Sequence, residues 1–103
     1  MGASEAGGVV LDIGGDVGAG IVRTPASLLG SEIEIRRRGD PWEGKHTAVR
    51  ARLLADGPLY AALFEGLSCG TYDLRVRHAC SADPVASLVV EGGKVSETVL
   101  DGG

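Results

Sequence analysis

Apolar residues along this chain alternate with polar ones or cluster in short runs, each run closed by Gly, Pro or Asp, and they match the strand pattern better than any helical stripe. Eight strands follow from that pattern. Val9 to Ile13 and Val17 to Arg23 flank Gly14-Gly15-Asp16, a connection short and glycine-rich enough to predict a hairpin. Thr24 to Gly30 interrupts, with room for one helical turn. Ser31 to Arg36 alternates strictly, sending Ile33 and Ile35 to one face and Glu32, Glu34 and Arg36 to the other. After a loop over Gly39 to Gly44, His46 to Leu54 alternates again, with Val49, Ala51 and Leu53 opposite Arg50 and Arg52.

Ala55-Asp56-Gly57-Pro58 turns the chain into Leu59 to Glu65, which is apolar on both faces and so predicted to be covered on both. Gly66 to Gly70 links it to Thr71 through Ala79, where Tyr72, Leu74 and Val76 face one way and Thr71, Asp73, Arg75 and Arg77 the other. Val85 to Val90, a turn at Glu91-Gly92-Gly93, and Lys94 to Leu100 predict a closing hairpin. Short strands joined by glycine turns, several with one wet face, predict an all-β fold: an antiparallel β-sandwich of seven or eight strands. Residues 9–101 form its single domain, and residues 1–8 are expected to be a flexible tail.

Length and composition narrow the function classes. A chain of 103 residues and 10.5 kDa holds one core, which excludes two-lobed enzymes. With 44% hydrophobic and 23% charged residues it is neither disordered nor fibrous. The aromatic residues are Trp42, Tyr60, Phe64 and Tyr72, so the core draws on Val, Leu, Ile and Ala, and a base-stacking platform for single strands is not expected. The net charge of −4 opposes attraction to nucleic acid and to anionic lipid, so neither a nucleic acid nor a membrane is an expected partner. Residues 32–77 nevertheless carry eight basic side chains against seven acidic ones, leaving room for a locally positive face. The first eight residues have no basic start and no apolar run, and nothing approaches ~18 consecutive apolar residues. The expected compartment is the cytoplasm, with both cysteines reduced.

Phe64-Glu65-Gly66-Leu67-Ser68-Cys69-Gly70-Thr71-Tyr72-Asp73-Leu74 resembles the F-x-x-L-x-x-G-x-Y-x-L signature of prealbumin-like β-sandwiches, which include the carboxypeptidase regulatory-like and Cna protein B-type domains within the wider immunoglobulin-like class. Leu29-Gly30-Ser31-Glu32-Ile33 is similar to that group's early L-x-G-x-x-V strand entry, and Val89 to Val95 to its closing hairpin. The resemblance covers roughly residues 9–100. It implies an accessory, structural or binding module, with the motif glycine at a sharp corner and the tyrosine ring packed inward, its hydroxyl near a partner. Hydroxyisourate hydrolases of the same group end in Y-R-G-S and carry an early histidine, whereas this chain ends Val99-Leu100-Asp101-Gly102-Gly103 and has no histidine before His46. The isopeptide cross-link of some B-type domains needs an early lysine and a late Asn or Asp. Here there is no lysine before Lys45 and no asparagine anywhere.

Few residues suggest chemistry. The stretch Gly14 to Gly20 after Leu11-Asp12-Ile13 looks like the phosphate-binding hairpin of sugar kinases, and offers a candidate anion site beside the plainer reading of a hairpin turn. His78 and Cys80 fall on one side of a strand with Asp83 close by, a candidate set for a soft metal that is short of the four ligands of structural zinc. Cys69 and Cys80 stand roughly 36 Å apart along an extended strand at ~3.3 Å per residue, too far for a disulfide. Arg36, Arg38, Arg50, Arg52, Arg75 and Arg77 form a basic band if their strands share one sheet, with cross-strand ion pairs as the plain alternative. No nucleophile and base can be paired from sequence, so no enzymatic activity is expected. Together these readings predict a non-catalytic module that binds a protein partner or its own copies, without a cofactor. Tyr60, Ala62 and Phe64 on the doubly apolar strand, with Arg50, Arg52, Arg75 and Arg77, are the expected interaction surface.

Overall fold

The computed structural model describes residues 3–6, 9–77 and 85–100, and apart from one 3-10 turn at Ala26–Leu28 its elements are all strands. They run β1 (Ala3–Ala6), β2 (Val9–Asp12), β3 (Val17–Arg23), β4 (Glu32–Arg37), β5 (His46–Ala48), β6 (Arg50–Leu54), β7 (Gly57–Ser68), β8 (Gly70–Val76), β9 (Ala86–Val90) and β10 (Val95–Val99). A front sheet in the order β10-β3-β7-β6 packs on a back sheet in the order β5-β4-β8-β9, and β1 and β2 form a separate two-stranded ribbon.

The inward positions of both sheets meet in one core. Val22, Ala62, Phe64, Leu67 and Leu100 come from the front layer, and Ile33, Ile35, Tyr72, Leu74, Leu88 and Val90 from the back. Within each strand these follow an alternation of period two, except that an irregularity in the pairing of β3 with β7 brings Leu67 to the same face as Ala62 and Phe64. Burying each large aliphatic among them contributes about 1.5–3 kcal/mol. Two glycines set how closely the layers approach. A Cβ on Gly20 would strike the Leu88 side chain, and one on Gly18 would strike Val90 and the carbonyl oxygen of Glu91. β3 therefore lies hard against β9 at these two inward positions, which carry no side chain.

The motif from Phe64 to Leu74 forms the corner between β7 and β8. Gly70 has φ +149, and a Cβ there would come within 2.6 Å of the Arg37 guanidinium. Arg37 uses that space to donate to the Cys69 carbonyl at 2.8 Å. The Tyr72 ring packs into the core, and its hydroxyl donates to the Ser68 carbonyl at 2.7 Å. At the strand entry it is Leu28, and not its exposed neighbour Leu29, that packs against the core.

Several pairings differ from those expected. The run read as one strand from His46 to Leu54 changes sheet at Val49, whose N–H donates to Ser31 at 2.8 Å and whose carbonyl accepts from Gly30 at 3.0 Å. Alternation is the same on both sides of that crossing, so it fixes each side chain's face without fixing its sheet. The closing hairpin is likewise opened: β9 joins β8 in the back sheet, while β10 joins β3 in the front. That last pair is parallel, so the sandwich is not wholly antiparallel. At the start of the chain, Ala3–Ala6 falls within the expected tail yet forms a strand, and β2 pairs with it rather than with β3. Only the reverse turn of the expected first hairpin remains, closed by two main-chain bonds between Gly14 and Val17 at 3.0 and 2.9 Å.

Candidate functional site

The outer face of the back sheet carries a ladder of charge. Glu34 stands opposite Arg75 and Arg36 opposite Asp73, because β4 and β8 both alternate and their register aligns acids with bases. Arg75 donates from Nε and Nη2 to one oxygen of Glu34, both at 2.8 Å. Arg36 and Arg38 each donate from Nε to a different oxygen of Asp73 at 3.1 Å. Both carboxylates are deeply buried, Glu34 at 4% exposure and Asp73 at 5%. Further along, Glu32 pairs with Arg77 at 3.7 Å, and His46 touches both. With Glu32 accepting and Arg77 donating, those contacts fit an imidazole that carries its proton on Nδ1.

Trp42 covers this ladder. The loop between β4 and β5 lays its ring against the guanidinium groups of Arg36 and Arg75, whose carbons lie 4.3 and 4.2 Å from the ring centroid. Such stacking is attractive and excludes water from the ion pairs beneath. The indole Nε1 is buried and has no hydrogen-bond partner among the described residues. Sequence reasoning did not find this clamp. The available signal was a single Trp in a loop beside two strands with arginines on their outward positions.

The front sheet ends on a different kind of surface. Arg50 and Arg52 lie on β6, away from the other four arginines of the expected band, so that band is divided between two sheets. On their face the cross-strand neighbours are Ala61 and Leu59, and neither arginine makes an ion pair or side-chain hydrogen bond among the described residues. The backbone shows which side of β6 is open. Tyr60 of β7 accepts from Thr24 on the β3 side, so Leu59 and Ala61 direct their main-chain groups to β6 and bond with Arg52 and Arg50. The N–H and C=O groups of Ala51 and Leu53 consequently point away from the sheet. Leu53 is 89% exposed, the most exposed large apolar side chain among the described residues, and Leu54 beside it is 40% exposed.

Other expected site residues fall elsewhere. Ala62 and Phe64 are in the central core at 0% and 3% exposure, and the half-buried Tyr60 packs against it, so these three are not a docking surface. The opposite face of β7 is apolar as well, but Leu63 there packs with Ile13, Ala19 and Val95, and β2 runs close to β7. Arg75 and Arg77 are engaged within the ladder. His78, Cys80 and Asp83 lie outside the described residues; among those that are described, no three His, Cys, Asp or Glu side chains gather as a metal site. Cys69 is a free, exposed thiol. In the Gly14 to Gly20 turn, the amides of Gly14, Val17 and Ala19 donate to the carbonyls of Val17, Gly14 and Lys94. Those donors are satisfied by main chain and do not form an anion cradle. A cavity of about 160 Å³ beside the Trp42 loop is lined by both signs of charge, among them Arg37, Lys45, Asp40 and Glu43.

No family model, curated protein or solved structure matches the chain. Among the described residues, no helix is long and apolar enough to cross a membrane.

Proposed function

We propose that this chain is a non-catalytic interaction module, built as a prealbumin-like β-sandwich, that joins a second polypeptide by strand addition at β6. The observation that carries the reading is the free edge of β6, where the main-chain groups of Ala51 and Leu53 face outward beside the exposed Leu53 side chain. Such an edge pairs readily with another extended segment, main-chain bonds supplying affinity and alternate side chains specificity. The prealbumin-like assignment draws support from the corner motif, whose Phe64, Leu67, Tyr72 and Leu74 are all buried in the core and whose Gly70 stands where a side chain would collide.

Displayed random octapeptides test the reading when selected against the whole chain and against Leu53→Pro. Proline at Leu53 removes an N–H that points away from β7, so it blocks the edge and leaves the sheet paired. Arg52→Pro is the contrasting control, since it deletes an N–H bonded to β7 and lowers stability by about 2–3 kcal/mol. Peptides or self-association that disappear with Leu53→Pro support the proposal. Absence of any binder or oligomer sensitive to Leu53→Pro overturns it.

A further inference from the structure

Resting on that reading, we infer that the segment added to β6 is acidic and extended, carries carboxylates two residues apart, and belongs to another protein rather than to a second copy of this chain. The chain has eight arginines, and six of them are engaged. Arg36 and Arg38 hold Asp73, Arg75 holds Glu34, Arg77 pairs with Glu32, Arg23 pairs with Glu97, and Arg37 donates to the Cys69 carbonyl. Arg50 and Arg52 are the pair left without a side-chain partner among the described residues. They stand on one face, roughly 7 Å apart, as residues two apart on a strand do.

The strand across from them on the β7 side offers only Ala61 and Leu59. Within the sheet, opposing charge can therefore come only from the other side, on whatever strand pairs with Ala51 and Leu53. A strand with acidic residues at alternate positions places its carboxylates on that same face, beside Arg50 and Arg52. Its intervening side chains then fall on the face of Leu53, where an apolar residue covers the exposed isobutyl group.

A second copy fits poorly. Only Ala51 and Leu53 present open main-chain groups, so the antiparallel register that uses all of β6 pairs Ala51 with Leu53 of the copy. That register sets Arg52 directly opposite the same arginine of the copy, in the more closely spaced, non-hydrogen-bonded kind of pair. Like charges so placed are destabilising. A nucleic acid also fits poorly, because it offers no strand to bond with the edge and the net charge of −4 opposes its approach.

The test is fluorescence anisotropy at low salt with two labelled peptides, Thr-Val-Glu-Val-Glu-Val-Thr and its counterpart with both Glu replaced by Lys, and with a labelled single-stranded oligonucleotide. The intact chain is expected to bind the glutamate peptide at least about tenfold more tightly than the lysine peptide, the size expected when two cross-strand ion pairs become two repulsions. Arg50→Glu combined with Arg52→Glu should reverse the preference, and Leu53→Pro should abolish binding of both peptides. Equal affinity for the two peptides, an unreversed preference in the double variant, or oligonucleotide binding as tight as that of the glutamate peptide overturns the inference. If selected octapeptides depend on the β6 edge but show no acidic bias, the inference falls while the interaction reading stands. Concentration-dependent dimerisation removed by Leu53→Pro likewise overturns the inference in favour of a second copy.

Discussion

The arginines at the ends of β4 and β8 and those of β6 occur in the same kind of sequence, two arginines separated by one residue, and end in opposite conditions. On the back sheet, neighbouring strands bring Glu34 and Asp73 alongside, Trp42 closes over them, and the arginines become part of the structure. On the front sheet, β7 brings only Ala61 and Leu59, and among the described residues the two arginines have no side-chain partner. An alternating arginine pattern thus gives the face of each residue, while the identity of the neighbouring strand decides whether its charge holds the fold together or is available to a partner.

Removing one member of the ladder should have the largest effect. Arg75→Ala leaves the Glu34 carboxylate buried without its main partner and strips one side of the Trp42 stack; the expected loss is about 3–4 kcal/mol in urea unfolding. A loss under about 1 kcal/mol would mean that water reaches Glu34 and that the ladder is not a buried network. Trp42→Ala comes next, at about 2 kcal/mol, since it removes two cation–π contacts and exposes the ion pairs. Because Trp42 is the chain's one tryptophan, its fluorescence follows this loop alone, and an emission maximum typical of fully exposed indole in the native protein would contradict the clamp.

Smaller effects are expected on the other side of the comparison. Arg50→Ala with Arg52→Ala should alter stability by less than about 0.5 kcal/mol, since neither residue has a side-chain partner among the described residues. A larger loss would show that these arginines are engaged after all. Salt sharpens the contrast further: raising it from 0.1 to 1 M shortens the screening length from ~10 to ~3 Å. That change should move native stability by less than about 0.5 kcal/mol, because the ladder's carboxylates are buried, yet weaken the glutamate peptide's hold on β6 severalfold.

Much of this was legible in the sequence at the level of single strands. The alternation at Ile33 and Ile35, and at Tyr72 and Leu74, named core residues correctly, and the corner at Gly70 followed from its motif. Pairing was not legible. Nothing local distinguishes an extended run that stays in one sheet from one that crosses at Val49, because the crossing is made by bonds to Ser31 and Gly30, distant in sequence. The same holds for β9 and β10, whose turn reads as a hairpin although the strands part to different sheets. Of the surface, the arginines could be enumerated but not sorted, since their sorting depends on those pairings. Trp42 was visible as a loop residue, and its role required knowing that Arg36 and Arg75 are neighbours.

The parallel pairing of β3 with β10 has a consequence for how the molecule is assembled. Val95 sits opposite Ala19, so a strand near the start of the fold receives its outer neighbour only from the far end of the chain. Contacts between such distant segments form slowly, because a large loop must close before they are gained. Until β10 arrives, β3 is itself an unpaired edge with glycines at two of its inward positions, Gly18 and Gly20. A nascent or partly opened chain therefore exposes a second template for strand pairing that the finished protein conceals, and the speed of that final closure governs how long each molecule remains vulnerable to misassembly.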